Sequence, residues 1–234
     1  MCGRYNLIAT GQQIMEHFKL LSLPALKPDY NIPPGQKILA VVQMEDGNNR
    51  AVNLHWGLIP SWSKDRTISS HLINARAETL TEKPSFKQAY RHRRCLIPST
   101  GFFEWQHTEA APAPGRLAAY TPSLAIPGKK PYHIHQPDNA LFAFAGIWEH
   151  WEHAQETVYS CTIITTVANE KIAPIHNRMP VVIASDDYNR WLDKKNAVVE
   201  IEDFFAADAY RTMQINPVSP WVNIPQHNDE NCLR

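Results

Sequence analysis

Strand-length apolar segments, each closed within a few residues by proline, glycine, asparagine or aspartate, recur along the chain and dictate what it can build. They lie at 37–44, 51–58, 94–98, 101–105, 131–135, 141–148, 157–166, 181–184 and 211–215. Runs of this length and composition read as strands. The turn Asp46-Gly47-Asn48-Asn49 makes a hairpin of the first two, and the segments at 131–135, 141–148 and 157–166 predict an antiparallel meander. Helical signals are short: Ile14, Met15 and Phe18 within 11–20, a proline-led stretch at 84–90, and two segments at 186–193 and 198–205. Residues 23–34 are proline-punctuated and predict an extended loop ending in a tight turn at Asn31-Ile32-Pro33-Pro34-Gly35, while 168–172 reads as helical or turn-like. Residues 107–130 predict an irregular surface excursion, and 217–234 a mostly irregular tail.

The 234 residues suit one generous domain, 1–234, and 44% hydrophobic with 20% charged residues is the balance of an ordinary soluble globular protein. No apolar run approaches a membrane span, and residues 1–10 lack the basic-then-apolar pattern of a signal peptide. A cytoplasmic, nucleoid-associated location without membrane contact is the expectation. Cys2, Cys95, Cys161 and Cys232 are scattered, which argues for reduced thiols and against a zinc ribbon. His133 and His135 share a strand face, yet no third ligand matches them, so no metal is expected. Basic and acidic residues both number 23, so contact with nucleic acid must be local. The cluster Arg91, Arg93, Arg94 reads as a solvated face; Arg4, Arg76 and Arg178 stand singly in motif-like stretches.

Several stretches carry chemistry. Loss of Met1, expected when a small side chain follows it, would leave Cys2 with an α-amine and a thiol on adjacent carbons. Their ordinary pKa values, about 8 and about 8.5, leave useful fractions of both nucleophiles near neutrality. An aldehyde would meet such a pair as a Schiff base and then a thiazolidine. Taken alone, however, Met1-Cys2 is also the ordinary pairing of an initiator with a small residue. In 73–79, an extended chain places Asn74, Arg76 and Glu78 on one face, as a plain edge strand also would. Trp56 and Trp62 are either core plugs or a platform for an unstacked base. Glu104, between Phe103 and Trp105, faces away from them, toward solvent or into a cleft where desolvation would raise its pKa. His176, held between Pro174 and Pro180, is a candidate acid or base or a packed histidine.

The order of these motifs is more specific than any of them. Cys2-Gly3-Arg4-Tyr5, Asn31 to Gly35, Trp56 to Trp62, Asn74-Ala75-Arg76-Ala77-Glu78, Gly101-Phe102-Phe103-Glu104-Trp105, Phe144 to Glu149, His176-Asn177-Arg178-Met179-Pro180 and Pro217-Val218-Ser219 follow one another as in the SOS response-associated peptidase (SRAP) family of abasic-site processing proteins, which the chain resembles from Cys2 to about Asp229. The resemblance implies a single α+β domain with a curved, largely antiparallel, barrel-like sheet, peripheral helices and a groove for single-stranded DNA. It implies that Cys2 cross-links to the ring-opened abasic sugar, with Asn74 orienting the adduct, Glu104 as acid and base, and His176 assisting ring opening. Arg4, Arg76 and Arg178 correspond to phosphate contacts and Trp62 to an aromatic wedge. A monomer without cofactor, acting on single-stranded DNA that contains an abasic site, is the expected state. Two departures, the long excursion 107–130 and the altered chain end at 226–234, are expected to affect periphery and not site. Two other readings compete: an N-terminal-nucleophile cysteine autopeptidase, and a non-covalent single-strand binder for which Cys2 is dispensable.

Overall fold

The computed structural model describes residues 2–108, 126–195, 204 and 207–234. Most of the expected helix at 198–205 and most of the excursion at 107–130 lie outside them.

Five strands close into a barrel: β3 (Lys37–Gln43), β4 (Asn49–Trp56), β6 (Arg94–Ser99), β9 (Phe142–His153) and β10 (Glu156–Val167), ordered β10-β4-β3-β6-β9 with β9 pairing back to β10. β3 and β4 form the predicted hairpin, Lys37 opposite His55 through Gln43 opposite Asn49. Both faces of these strands are buried: Val41, Leu96 and Ile147 lie on one face and Ile97, Phe144 and Ile163 on the other. β4 ends at Trp56, short of the expected 58, because Gly57 turns at φ +132°, where a Cβ would sit 2.6 Å from the Ser69 carbonyl oxygen. This is the α+β, largely antiparallel and barrel-like architecture that the sequence implied.

A second sheet lies against the barrel. It contains β1 (Tyr5–Leu7), β2 (Asp29–Ile32), β7 (Gly101–His107), β8 (Lys129–His135) and β13 (Gln214–Pro217), in the order β13-β8-β7-β1-β2. The predicted loop at 23–34 is therefore partly strand: its proline-extended backbone pairs Ile32 with Tyr5. The predicted meander is broken as well, since β8 pairs with β7 and β13 while β9 and β10 pair in the barrel. Strand spacing along the chain carries no label for which sheet a strand joins.

β10 has strand partners along both of its edges. β9 covers one edge from Glu156 to Ile163, after which β11 (Arg178–Pro180) takes over, pairing Thr165 with Pro180; β12 (Val182–Ile183) then returns to β9. The other edge holds β4 and then β5 (Asn74–Arg76) in parallel. β5 stops after three residues, and Ala77–Thr79 form a 3-10 turn, so the expected extended run 73–79 is only half extended. Helix α1 (Gly11–Phe18) carries a capping box from Thr10 and Gln13, and α2 (Pro84–His92) begins with proline as expected. No helix among the described residues is long and apolar enough to cross a membrane.

Two expectations about charge and periphery are corrected. Arg94 is buried, not solvated: its guanidinium donates to the Tyr90, Arg91, Trp191 and Asp193 carbonyls, joining the end of α2 to α3 (Tyr188–Leu192). Arg93 pairs with buried Glu149 at 2.7 Å, leaving only Arg91 as a solvated charge. The tail is not peripheral either. Val218, Val222 and Cys232 form a second apolar cluster with Phe103, and Asn31 donates to the Val222, Ile224 and His227 carbonyls. A tail without apolar periodicity can still be core when its 3-10 turns are pinned by side-chain bonds.

His133 and His135 stack at 4.5 Å in the second sheet. His133 Nε2 accepts from Asn6, and Gly101 permits the approach, since a Cβ there would lie 2.1 Å from that nitrogen. His135 donates from Nδ1 to the Gln136 carbonyl and accepts from Asn216 at Nε2. Burial, and secondarily His135, holds the His133 imidazole down to about 3. The folded state therefore binds fewer protons than the unfolded chain below the ordinary histidine pKa of about 6.5, and stability is lost as pH falls from there. One such proton corresponds to about 1.4 kcal/mol per pH unit. The fall in denaturation midpoint between neutral and mildly acidic pH is expected to be visibly shallower in His133→Gln; an unchanged slope would contradict this.

Candidate active site

The N-terminal strand runs into the interface between barrel and second sheet, and this burial sets the chemistry. Cys2 is fully buried. Its carbonyl accepts from Asn74 Nδ2 at 2.8 Å, which ties the N-terminus to β5. Asn74 Oδ1 is buried and has no partner among the described residues. Burial, reinforced by the charge of Glu104, pushes the Cys2 thiol well above its ordinary range, so the thiolate fraction expected near neutrality is suppressed.

Glu104 is placed by strand parity. Phe103 and Trp105 face the second apolar cluster, and Glu104 faces the barrel side, 3% exposed. Desolvation raises its carboxyl to about 7, with the positive N-terminus and the Trp105 backbone opposing the shift. His176 follows a turn at 170–175 and precedes β11. Its Nδ1 lies 3.0 Å from the Arg178 backbone N and 3.2 Å from the Arg178 carbonyl oxygen, so the ring is held by the backbone two residues on. Burial and then the N-terminal charge lower its pKa, favouring neutral imidazole. Cys2, Asn74, Glu104 and His176 thus share one electrostatic neighbourhood around the N-terminus.

The other predicted residues are dispersed. Arg4 turns inward, donating from Nη1 to Asn31 Oδ1 at 2.8 Å and to the Val222 carbonyl at 3.0 Å, with its guanidinium 5.9 Å from the Trp105 ring centroid. Arg178 forks onto Glu78 at 2.7 and 2.9 Å and also donates to the Thr165 carbonyl. Arg76 is exposed beside Asn74 on the same short strand. The two tryptophans divide: Trp56 is core and donates to the Ile73 carbonyl, whereas Trp62 is 59% exposed.

One residue near the chemistry has no sequence signal. Tyr210 is buried, donates to the Pro180 carbonyl and packs edge-on against Phe102. Burial raises its phenol, with Cys2 and Glu104 contributing the same sign. It lies in an isolated 3-10 turn, Ala207–Tyr210, 34 residues beyond His176, and no spacing rule leads to it.

Fold and site together define a protein organised around its own N-terminus. The chain belongs to the SOS response associated peptidase (SRAP) family, whose model matches residues 1–225. It is 39% identical to the abasic site processing protein YoaM of Bacillus subtilis, over all of this chain and 97% of that one. It is 29% identical to the abasic site processing protein HMCES of Gallus gallus, over 88% of this chain and 66% of the relative. A crystal structure of a protein from Bacteroides thetaiotaomicron matches the fold with a TM-score of 0.81 at 24% identity, covering 100% and 99% of the two chains.

Proposed function

We propose that the protein binds single-stranded DNA containing an abasic site and, once Met1 is removed, cross-links to it through Cys2. The observation that carries this reading is the burial of the Glu104 carboxyl beside Cys2, the residue that loss of Met1 would make N-terminal. The names of its relatives support the same substrate.

An abasic sugar rests mainly as a closed hemiacetal, so the aldehyde must first be released by proton transfer. Neutral His176 and Glu104 are suited to this. The Cys2 amine then adds to the aldehyde carbon to give a carbinolamine, and Glu104 in its acid form protonates the departing hydroxyl as water. Asn74 holds the Cys2 backbone, and its second amide atom supplies an acceptor for an N–H or O–H at that carbon. The thiol finally adds to the C=N bond, giving its proton to the Glu104 carboxylate and closing the thiazolidine. The balance is one aldehyde plus one aminothiol giving one thiazolidine and one water. A thiol held protonated by burial favours amine-first attack.

Arg76 and Trp62 are exposed and suited to phosphate contact and base stacking. Arg178 can reach a phosphate only by exchanging its Glu78 partner, and Arg4 acts by fixing the N-terminal segment to the tail. The test is a denaturing gel of protein, verified by intact mass to lack Met1, incubated with abasic single-stranded DNA. A shifted, denaturant-resistant band is expected, and Cys2→Ala should abolish it. No band from the processed wild type would end the cross-linking assignment.

A further inference from the structure

The wedge between barrel and second sheet opens along one line of side chains. On β7, Phe102, Glu104 and Gln106 share a face; on β8, Ile134, Tyr132 and Lys130 lie opposite them in register. Exposure rises outward along both strands: Phe102 and Ile134 are sealed, Glu104 and Tyr132 lie at the transition, Gln106 is partly exposed and Lys130 is exposed. Gln106 spans the opening, donating to the Pro174 carbonyl at 3.0 Å and accepting from the Tyr132 hydroxyl at 3.0 Å, so β7, β8 and the loop before His176 form a fixed mouth. Lys130 Nζ lies 5.3 Å from the Tyr132 ring centroid and has no carboxylate partner among the described residues.

We infer that Lys130 and Tyr132 form a nucleotide subsite at this mouth, Lys130 taking a phosphate and Tyr132 the face of a base next to the abasic sugar. This rests on the proposed function and extends it to residues that neither the motif pattern nor charge clustering marks. Any sugar whose aldehyde carbon reaches Cys2 beside Glu104 brings flanking nucleotides over the residue opposite Glu104 in the sheet, which is Tyr132. An aromatic ring with an adjacent cation is the pairing that single strands use without sequence preference. Gln106 supplies no charge and acts as the brace that keeps the Tyr132 ring in place.

The test uses equilibrium binding of a fluorescein-labelled poly-dT strand carrying a tetrahydrofuran abasic analogue, which cannot form a Schiff base. Lys130→Gln should weaken binding and reduce the slope of log Kd against log salt by about 0.7, the value for one phosphate contact on a single strand. Tyr132→Leu should weaken binding about 5-fold or more with the slope unchanged, while Tyr132→Phe, which keeps the ring, should recover most of that loss. Lys87→Gln, on α2, should match the wild type. Wild-type binding with Lys130→Gln and Tyr132→Leu indistinguishable from it would overturn the subsite alone. A wild type that binds no single strand at low salt would overturn the proposed function itself.

Discussion

Glu104→Gln is expected to slow adduct formation by about 10²- to 10⁴-fold, the usual contribution of a positioned acid or base, while making the folded protein more stable at alkaline pH. Both effects come from the same burial. The unfolded carboxyl titrates near its ordinary 4.5 and the folded one near 7, so the folded state binds more protons across that interval. Its contribution is complete below about 4.5 and is lost as pH rises through 7, a deficit of about 3 kcal/mol above that point. Glutamine keeps the shape and removes the titration, so Glu104→Gln should have a higher denaturation midpoint than the wild type at pH 8 and little advantage at pH 5. Activity runs the other way. The reaction needs protonated Glu104 together with unprotonated amine, whose ordinary pKa is about 8, so the wild-type rate should be bell-shaped with its maximum between about 7 and 8. Glu104→Gln should lose the alkaline limb. A variant with wild-type rate and an unchanged profile would remove Glu104 from the mechanism, whatever its effect on stability.

Arg94→Ala is expected to lower folding stability by about 3–5 kcal/mol, the scale of leaving several buried carbonyls unsatisfied at about 1–3 kcal/mol each. Its guanidinium donates to the Trp191 carbonyl at 2.6 Å, to Tyr90 and Arg91 at 3.0 and 3.3 Å, and to Asp193. These carbonyls terminate α2 and α3, where helix dipoles put partial negative charge and no intrahelical donor remains. One planar, five-donor group meets both ends at once. Lysine presents a point charge without the fork, so Arg94→Lys should restore only part of the loss. Denaturant midpoints measure both. A loss below about 1 kcal/mol for Arg94→Ala would show that the helix ends find water instead.

How much was legible in advance depended on whether the signal was local. The hairpin 37–56, the proline start of α2 and the existence of α1 follow from neighbours in sequence, as turn chemistry and periodicity act over a few residues. The orientation of Glu104 away from Phe103 and Trp105 was readable too, because alternation is a backbone property. The assignment of β8 to one sheet and β9 to the other was not readable, since pairing partners are chosen by packing across the whole chain. Arg94 looked like its neighbour Arg91, and only the arrival of α3 made it a buried staple. Likewise Asn31, Arg4 and the tail formed one unit that no local pattern announced.

The residue types at Cys2, Asn74, Glu104 and His176, and their order, are determined by the sequence alone, and so is the aminothiol chemistry that loss of Met1 would expose. Their proton affinities were decided by tertiary structure. Burial between the two sheets raises Glu104 to about 7, suppresses the Cys2 thiolate and lowers His176, because removal of water penalises whichever form carries charge. The sequence names these side chains; the closed interface sets which of them carry charge.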